Sequence, residues 1–256
     1  MEWEKMLGLP AATLAGNRRI PKTQLVAQGH YTKREEKLLA AAESLTHVAT
    51  LQKSNTPMLP VLDEEHDVAA ILYLRCVMKR RSGTAELAEL LHRTFPNPTV
   101  LLFEAEEACG VSVAIKRKSL AEHGAVVVEQ IAGTGWFDPD DAAYGSYLEA
   151  VAYSVLPQAT LLEFVRALVR RTLAAKCIET LGLYPAVGED AVDELMAQVR
   201  RMEGLQMQIE GLQTRRRSRE TSLADSTKLR MEIKKLEKER STVAEGVKEL
   251  CDGNRD

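Results

Sequence analysis

The sequence predicts an α+β protein, a small mixed sheet with packed helices, followed by a C-terminal helical arm patterned for a coiled coil. Three observations lead there. Residues 68–78, 99–103, 111–115 and 125–131 are short apolar runs rich in Val, Ile and Leu. A Leu-rich stretch at helical spacing separates the first run from the second. Beyond residue 188, on either side of residues 214–226, apolar residues recur at three- and four-residue steps, which is the period of an amphipathic helix.

In chain order, residues 1–59 form an N-terminal segment with a basic loop and a helix. A short helix-like stretch ends near Gly8, and Asn17, Arg18, Arg19, Ile20, Pro21 and Lys22 follow. Pro21 drives the residue before it toward extended geometry, so this basic element is expected as a loop or short strand. Residues 33–46 carry Leu38, Leu39, Ala42 and Leu45 at helical spacing and are expected as one helix.

Residues 60–186 make the α+β body. The apolar run 68–78 is the first strand; residues 85–93, with Leu87, Leu90 and Leu91 on one face, form a helix that Pro96 and Pro98 end. TVLLF, VSVAI and AVVVEQI supply three more strands. A loop with Trp136, Phe137 and Asp138 follows, with Trp136 expected as a core plug. Residues 161–177 are the clearest body helix, with Leu161, Phe164, Val165, Leu168 and Leu173 inward and Arg166, Arg170 and Arg171 outward.

Residues 187–256 form the arm. Leu195, Val199, Met202, Leu205, Ile209 and Leu212 step by threes and fours; Leu229, Ile233, Leu236, Val243, Val247 and Leu250 make a heptad seam interrupted by Arg240. Between the two seams lies a basic connector with Arg215, Arg216, Arg217 and Arg219. The favoured arrangement is an αα-hairpin, with Asp225 and Ser226 as N-cap of the second helix; one long bent helix is the alternative. Neither helix buries its stripe alone, so the other helix, the body, a second copy or a different protein must cover it.

The net charge of −3 conceals segregation. Residues 17–37 carry six basic and two acidic side chains, residues 119–165 seven acidic and no Lys or Arg, and residues 215–240 ten basic and five acidic. Arg18, Arg19 and Lys22, with the connector arginines, suit phosphate contact or an acidic protein surface. No aromatics are interleaved for base stacking, so sequence-specific reading of nucleic acid is not expected. MEWEKMLGLP is acidic where a signal peptide is basic, and no apolar run has the length of a membrane span, so a cytoplasmic protein is expected. Cys76, Cys109, Cys177 and Cys251 are far apart and read as reduced thiols, mostly buried.

The residues offer little chemistry. Gly133-Thr134-Gly135 lacks the remaining glycine and the Lys of a phosphate-binding loop. The five histidines show no paired spacing, and no metal or cofactor is expected. A metal-dependent nuclease pairs carboxylates with a nearby Lys on a hairpin. Here Ala114-Ile115-Lys116 has an apolar residue in the carboxylate's place. Glu104, Glu106 and Glu107 read as a solvated turn, and His66, beside Asp63, Glu64 and Glu65, reads as surface-exposed.

LGLP at the start, then NRRIPK, a strand-helix-strand block ending in Pro before TVLLF, GWFD after the last strand, and the tail IEGLQTRRRSRETSLADSTKLRMEIKKLEKE occur in this order. This arrangement resembles the bacterial domain-of-unknown-function family 4391 across most of the chain, as a divergent member poorer in Lys and aromatics. The resemblance implies an anti-phage defence context, since members of that family are encoded beside a DNA methyltransferase and helicases. It brings no catalytic residues.

The expectation is therefore a non-catalytic adaptor subunit of a bacterial defence or restriction-modification-like complex. Its arm docks on a helicase or methyltransferase through the seam residues Leu195, Val199, Met202, Ile209, Leu229, Ile233, Leu236, Val243 and Val247, and its basic residues touch DNA. A cryptic metal-dependent nuclease and a homodimeric coiled-coil protein remain the alternatives.

Overall fold

A computed structural model describes residues 1–28, 31–121, 125–185, 187–217 and 223–252. The chain divides into two compact units, Met1–Lys176 and Cys177–Asp256.

The first unit is a mixed α+β structure around a six-stranded sheet. Its strands are β1 (Leu14–Arg19), β2 (Ala42–Gln52), β5 (Ala70–Met78), β6 (Thr99–Ala105), β7 (Ala108–Lys118) and β8 (Val126–Gly133), in the spatial order β1-β2-β5-β6-β7-β8. Only β5 and β6 are parallel; the other neighbours are antiparallel. A separate pair, β3 (Val61–Leu62) and β4 (Asp67–Val68), forms a small hairpin. The helices are α1 (Trp3–Met6), α2 (Lys22–Gln28), α3 (Lys33–Ala41), α4 (Thr84–Thr94), α5 (Ala142–Ala150) and α6 (Leu161–Ala175).

β6 and the first nine residues of β7 are buried almost without interruption, as expected of strands covered on both faces. On one face Leu74, Cys76, Leu101 and Phe103 pack with Leu39 of α3 and Leu87, Leu90 and Leu91 of α4. On the other, α6 lies over β5, β7 and β8. The parallel β5–β6 pair needs a crossover, which α4 supplies. Gly83, left-handed at φ 78°, precedes α4, and the extended Phe95 before Pro96 ends it.

Residues 33–46 do not form a single helix. Thr32 and Glu35 make a capping box, Thr32 Oγ1 accepting from Glu35 N at 3.3 Å and Glu35 Oε2 from Thr32 N at 2.8 Å. The helix ends at Ala41, and β2 then runs eleven residues as the strand between β1 and β5. Thr46, Val48 and Thr50 supply the β-branched character that favours a strand; the coincidental spacing of Leu38, Ala42 and Leu45 hides it. Asn17 to Arg19 are strand, and Lys22 opens α2 directly after Pro21.

The second unit holds α7 (Ile178–Leu181), α8 (Val192–Arg217) and α9 (Leu223–Asp252). The two long helices lie side by side, and Arg201 Nη2 meets Glu239 Oε1 at 2.7 Å although 38 residues intervene. A continuous helix would hold those residues nearly 60 Å apart at ~1.5 Å per residue, so the chain folds back. Arg215–Arg217 belong to α8 and not to a connector; arginine is a good helix former, and cations stabilise a helix C-terminus. Asp225 and Ser226 lie inside α9, where Asp225 sits in the first turn and favours the positive helix end.

All four cysteines are buried thiols. Burial pushes Cys76 up to about 12, and burial, helped by Glu104 and Asp138, does the same for Cys109. Among the described residues no helix is long and apolar enough to cross a membrane.

Candidate functional site

The residues singled out in the arm divide by burial. Leu195, Val199, Met202, Leu205 and Ile209 of α8 and Ile233, Val243 and Val247 of α9 are buried. Leu212, Leu229, Leu236 and Leu250 are half-buried. α8 and α9 therefore cover much of each other's stripe, and these four leucines remain partly open. Arg215 and Arg217 are exposed and Arg216 half-buried; Arg219 lies outside the described residues.

In the first unit, Arg18 and Arg19 are exposed on the edge strand β1. Consecutive strand residues point to opposite faces, so the two guanidinium groups do not form one cluster. Lys22 is half-buried and its Nζ donates to Ala42 O at 2.6 Å, tying α2 to the start of β2. A shallow cavity of about 370 Å³ beside them is lined by Arg19, Lys22, Thr23 and Glu43.

Two polar clusters depart from expectation. Glu104 is not in a solvated turn: it lies on β6, with a side chain only 13% exposed. It accepts from Arg75 Nε at 2.8 Å, Arg75 Nη2 at 2.6 Å and Trp3 Nε1 at 2.7 Å. Such a bidentate, charge-assisted arrangement is among the stronger polar contacts, and it pins the fully buried Trp3 of α1 to the sheet. Glu106 and Glu107 do form the exposed turn. His66 is likewise buried at 3% exposure. Its Nε2 lies 3.2 Å from Glu129 Oε2 and 3.5 Å from Arg166 Nη2, and its Nδ1 lies 3.5 Å from Asp63 Oδ1. Arg166 is exposed as expected while its guanidinium reaches this cluster, whereas Arg171 is half-buried and donates to Ala150 O at 2.5 Å.

The most unusual chemistry sits between α4 and β7. Lys116 is 3% exposed and His92 fully buried. Lys116 Nζ donates to the carbonyl of Phe95, just past α4, and to Thr99 Oγ1 at 3.4 Å. Burial pulls this amine down to about 7. His92 Nε2 lies 2.9 Å from Ser112 Oγ, and burial, with the Lys116 charge, pulls the imidazole down to about 3. Among the described residues, His92 Nδ1 is the buried side-chain nitrogen or oxygen without a hydrogen-bond partner. Both side chains line a cavity of about 760 Å³ bounded by the end of α4 and by residues 126–131 of β8. The sequence signal for this site was Lys116 directly after the largely apolar run of residues 111–115.

A second cavity, about 510 Å³, lies at the other end of α4 and includes Arg81, Phe103, Ser112 and Trp136. Trp136 is half-buried; its ring meets Phe103 edge-on at 6.3 Å and its Nε1 donates to Arg81 O at 3.0 Å. Two carboxylates of the acidic loop 138–141 are used locally: Asp138 Oδ1 accepts from Asp140 N at 2.9 Å, and Asp141 Oδ1 caps α5 through Ala143 N at 2.8 Å. Among the described residues, no group of three or more His, Cys, Asp or Glu side chains is placed to hold a metal ion.

Fold and site together define a mixed α+β protein with a C-terminal helical pair, basic surface residues and a buried amine beneath a cavity. The chain belongs to the domain of unknown function family DUF4391, whose model matches residues 7–239. No curated protein and no solved structure matches it.

Proposed function

We propose that the chain is a non-catalytic adaptor subunit of a bacterial anti-phage defence or restriction-modification-like complex, working in the cytoplasm. Its α8–α9 pair packs as a coiled coil and docks onto a helicase or DNA methyltransferase. The observation that carries this reading is the unfinished coverage of the helical pair: Leu212, Leu229, Leu236 and Leu250 stay half-buried after α8 and α9 have covered each other. A two-helix pair is a marginal core, and a third helix laid along these leucines completes it. The defence setting is what the resemblance described above implies. The arginines 215–217 beside the leucines, and Arg18 and Arg19 on β1, give a non-specific hold on DNA phosphates.

Co-expression with any helicase and DNA methyltransferase found encoded beside its gene tests the reading. The full chain should co-purify with one of them, and Leu229→Glu with Leu236→Glu should abolish this while the first unit keeps its fold. A chain that binds neither protein sinks the proposal. A stable dimer of the isolated chain that the same pair of substitutions dissolves would favour the homodimeric coiled coil instead.

A further inference from the structure

The 510 Å³ cavity beside Trp136 occupies a position where sheets with helical crossovers bind ligands. β5, α4 and β6 form the crossover that two parallel strands require, and such sheets hold ligands in crevices outside the carboxyl ends of their strands. Arg81, Gly83 and Thr84, where β5 leads into α4, line the cavity together with Phe103 near the end of β6. Several wall positions carry no side chain. At Gly110 the reason is structural, since a Cβ there would stand 2.6 Å from Gly135 O. Gly133, the last residue of β8, has no such reason: its φ is not left-handed, and a Cβ would meet nothing nearer than 3.6 Å. Glycine in a strand weakens it and marks places where a ligand or another backbone approaches closely. Here no backbone crowds the position, and the space beside it is the cavity.

The lining has a chemical preference. Much of it is apolar, and Trp136, half-buried, meets Phe103 edge-on at 6.3 Å. Such a wall suits a planar ring. Inside, Ser112 is 5% exposed, and among the described residues its hydroxyl bonds to His92 Nε2 alone. A hydroxyl offers one donor and two acceptor lone pairs, so Ser112 retains capacity for the polar edge of a ring. The rim is positive. Lys176 and Arg81 stand there exposed against the single acid Glu86, and Lys79 and Arg80, also exposed, precede Arg81 in the chain. Arg81 Nη2 lies 3.6 Å from Glu106 Oε2, with the side chains 48% and 77% exposed; a solvated pair of this kind holds its arginine weakly. A ring-accepting interior with guanidinium and ammonium groups at the rim matches a base joined to a phosphate.

We propose that this cavity binds a nucleoside monophosphate, its base against Trp136 and its phosphate held by Arg81 and Lys176. The site lies wholly in the first unit and does not depend on the helical arm.

Isothermal titration of the full-length chain with AMP, GMP, CMP and UMP, with the matching nucleosides and with inorganic phosphate, tests this. At least one monophosphate should bind, about tenfold or more tighter than its nucleoside and than phosphate alone, as bonds to charged groups imply. Its binding should slow amide exchange in residues 81–88 and 131–136. Gly133→Val, which fills the cavity, should weaken binding by a similar factor. So should Lys176→Glu, an exposed change that spares the core and keeps the test valid if Gly133→Val does not fold. The proposal is overturned if no monophosphate binds, or if the nucleoside or phosphate alone binds as tightly. It is equally overturned if either variant, once folded, binds like wild type, or if protection falls only in residues 192–252.

Discussion

Glu104 gathers Arg75 and Trp3 at the end of β6, where its carboxylate is mostly out of water. Replacing it with Gln keeps the shape but removes the charge that both donors face. Glu104→Gln should cost about 2 kcal/mol, read from urea unfolding with an unchanged m-value. Gly110 is restricted by backbone approach: a Cβ there would stand 2.6 Å from Gly135 O, where the Cys109–Phe137 bridge draws the loop in. Gly110→Ala should destabilise by roughly 1–3 kcal/mol, by the same measurement. The buried titratable pair makes stability depend on pH. Lys116 sits near 7 when folded against 10.5 ordinarily, so between those values the unfolded chain holds a proton that the folded chain lacks. Stability contributed at this site therefore rises with pH across that window. The gain from Lys116→Met should be largest below pH 7 and shrink toward pH 10. His92, near 3 against 6.5, acts the same way in acid. Wild type should lose on the order of 2 kcal/mol more than His92→Gln between pH 7 and pH 4.5, and equal losses would refute the burial assignment.

Among elements, the strands β5 to β8 and the helices α4 and α6 were legible because each carries one uninterrupted pattern. β2 was not. Its first residues continue the apolar spacing of α3, and nothing local marks the change from helix to strand; pairing with β1 and β5 on both sides decides it. In the arm, the seam positions were legible from periodicity, but their assignment to each other was not. Ile233 is buried between flanking exposed residues of α9, so Ile233→Ala should cost about 2–4 kcal/mol, seen as faster amide exchange across residues 195–247. The Arg201–Glu239 pair, by contrast, is solvent-accessible, with the arginine 58% exposed. Arg201→Ala should change that exchange by no more than the equivalent of about 0.5 kcal/mol.

At the scale of the whole molecule, a net charge of −3 hides basic and acidic tracts, and the fold puts them to different uses. Lys22 and the acidic loop 138–141 are spent on local hydrogen bonds, whereas Arg18 and Arg19 remain on an exposed sheet edge. The hold on DNA phosphates proposed above should therefore weaken as salt rises. Charge reversal at Arg18 and Arg19 should flatten the log–log salt slope by about 2, measured by fluorescence anisotropy on a random duplex. An unchanged slope would remove β1 from the interface.

The class of structure was readable from residue order, because periods of two and of three to four are there whatever the chain later packs against. Residue order also determined the helical character of the arm and the separation of charge. That Glu104 is an interior anchor, that His66 is buried, and that Lys116 and His92 line one cavity emerged with the fold. The physical reason is that each of these depends on partners 20 to 101 residues away. Burial and an unsatisfied polar atom are properties of a folded neighbourhood, and no local pattern encodes them.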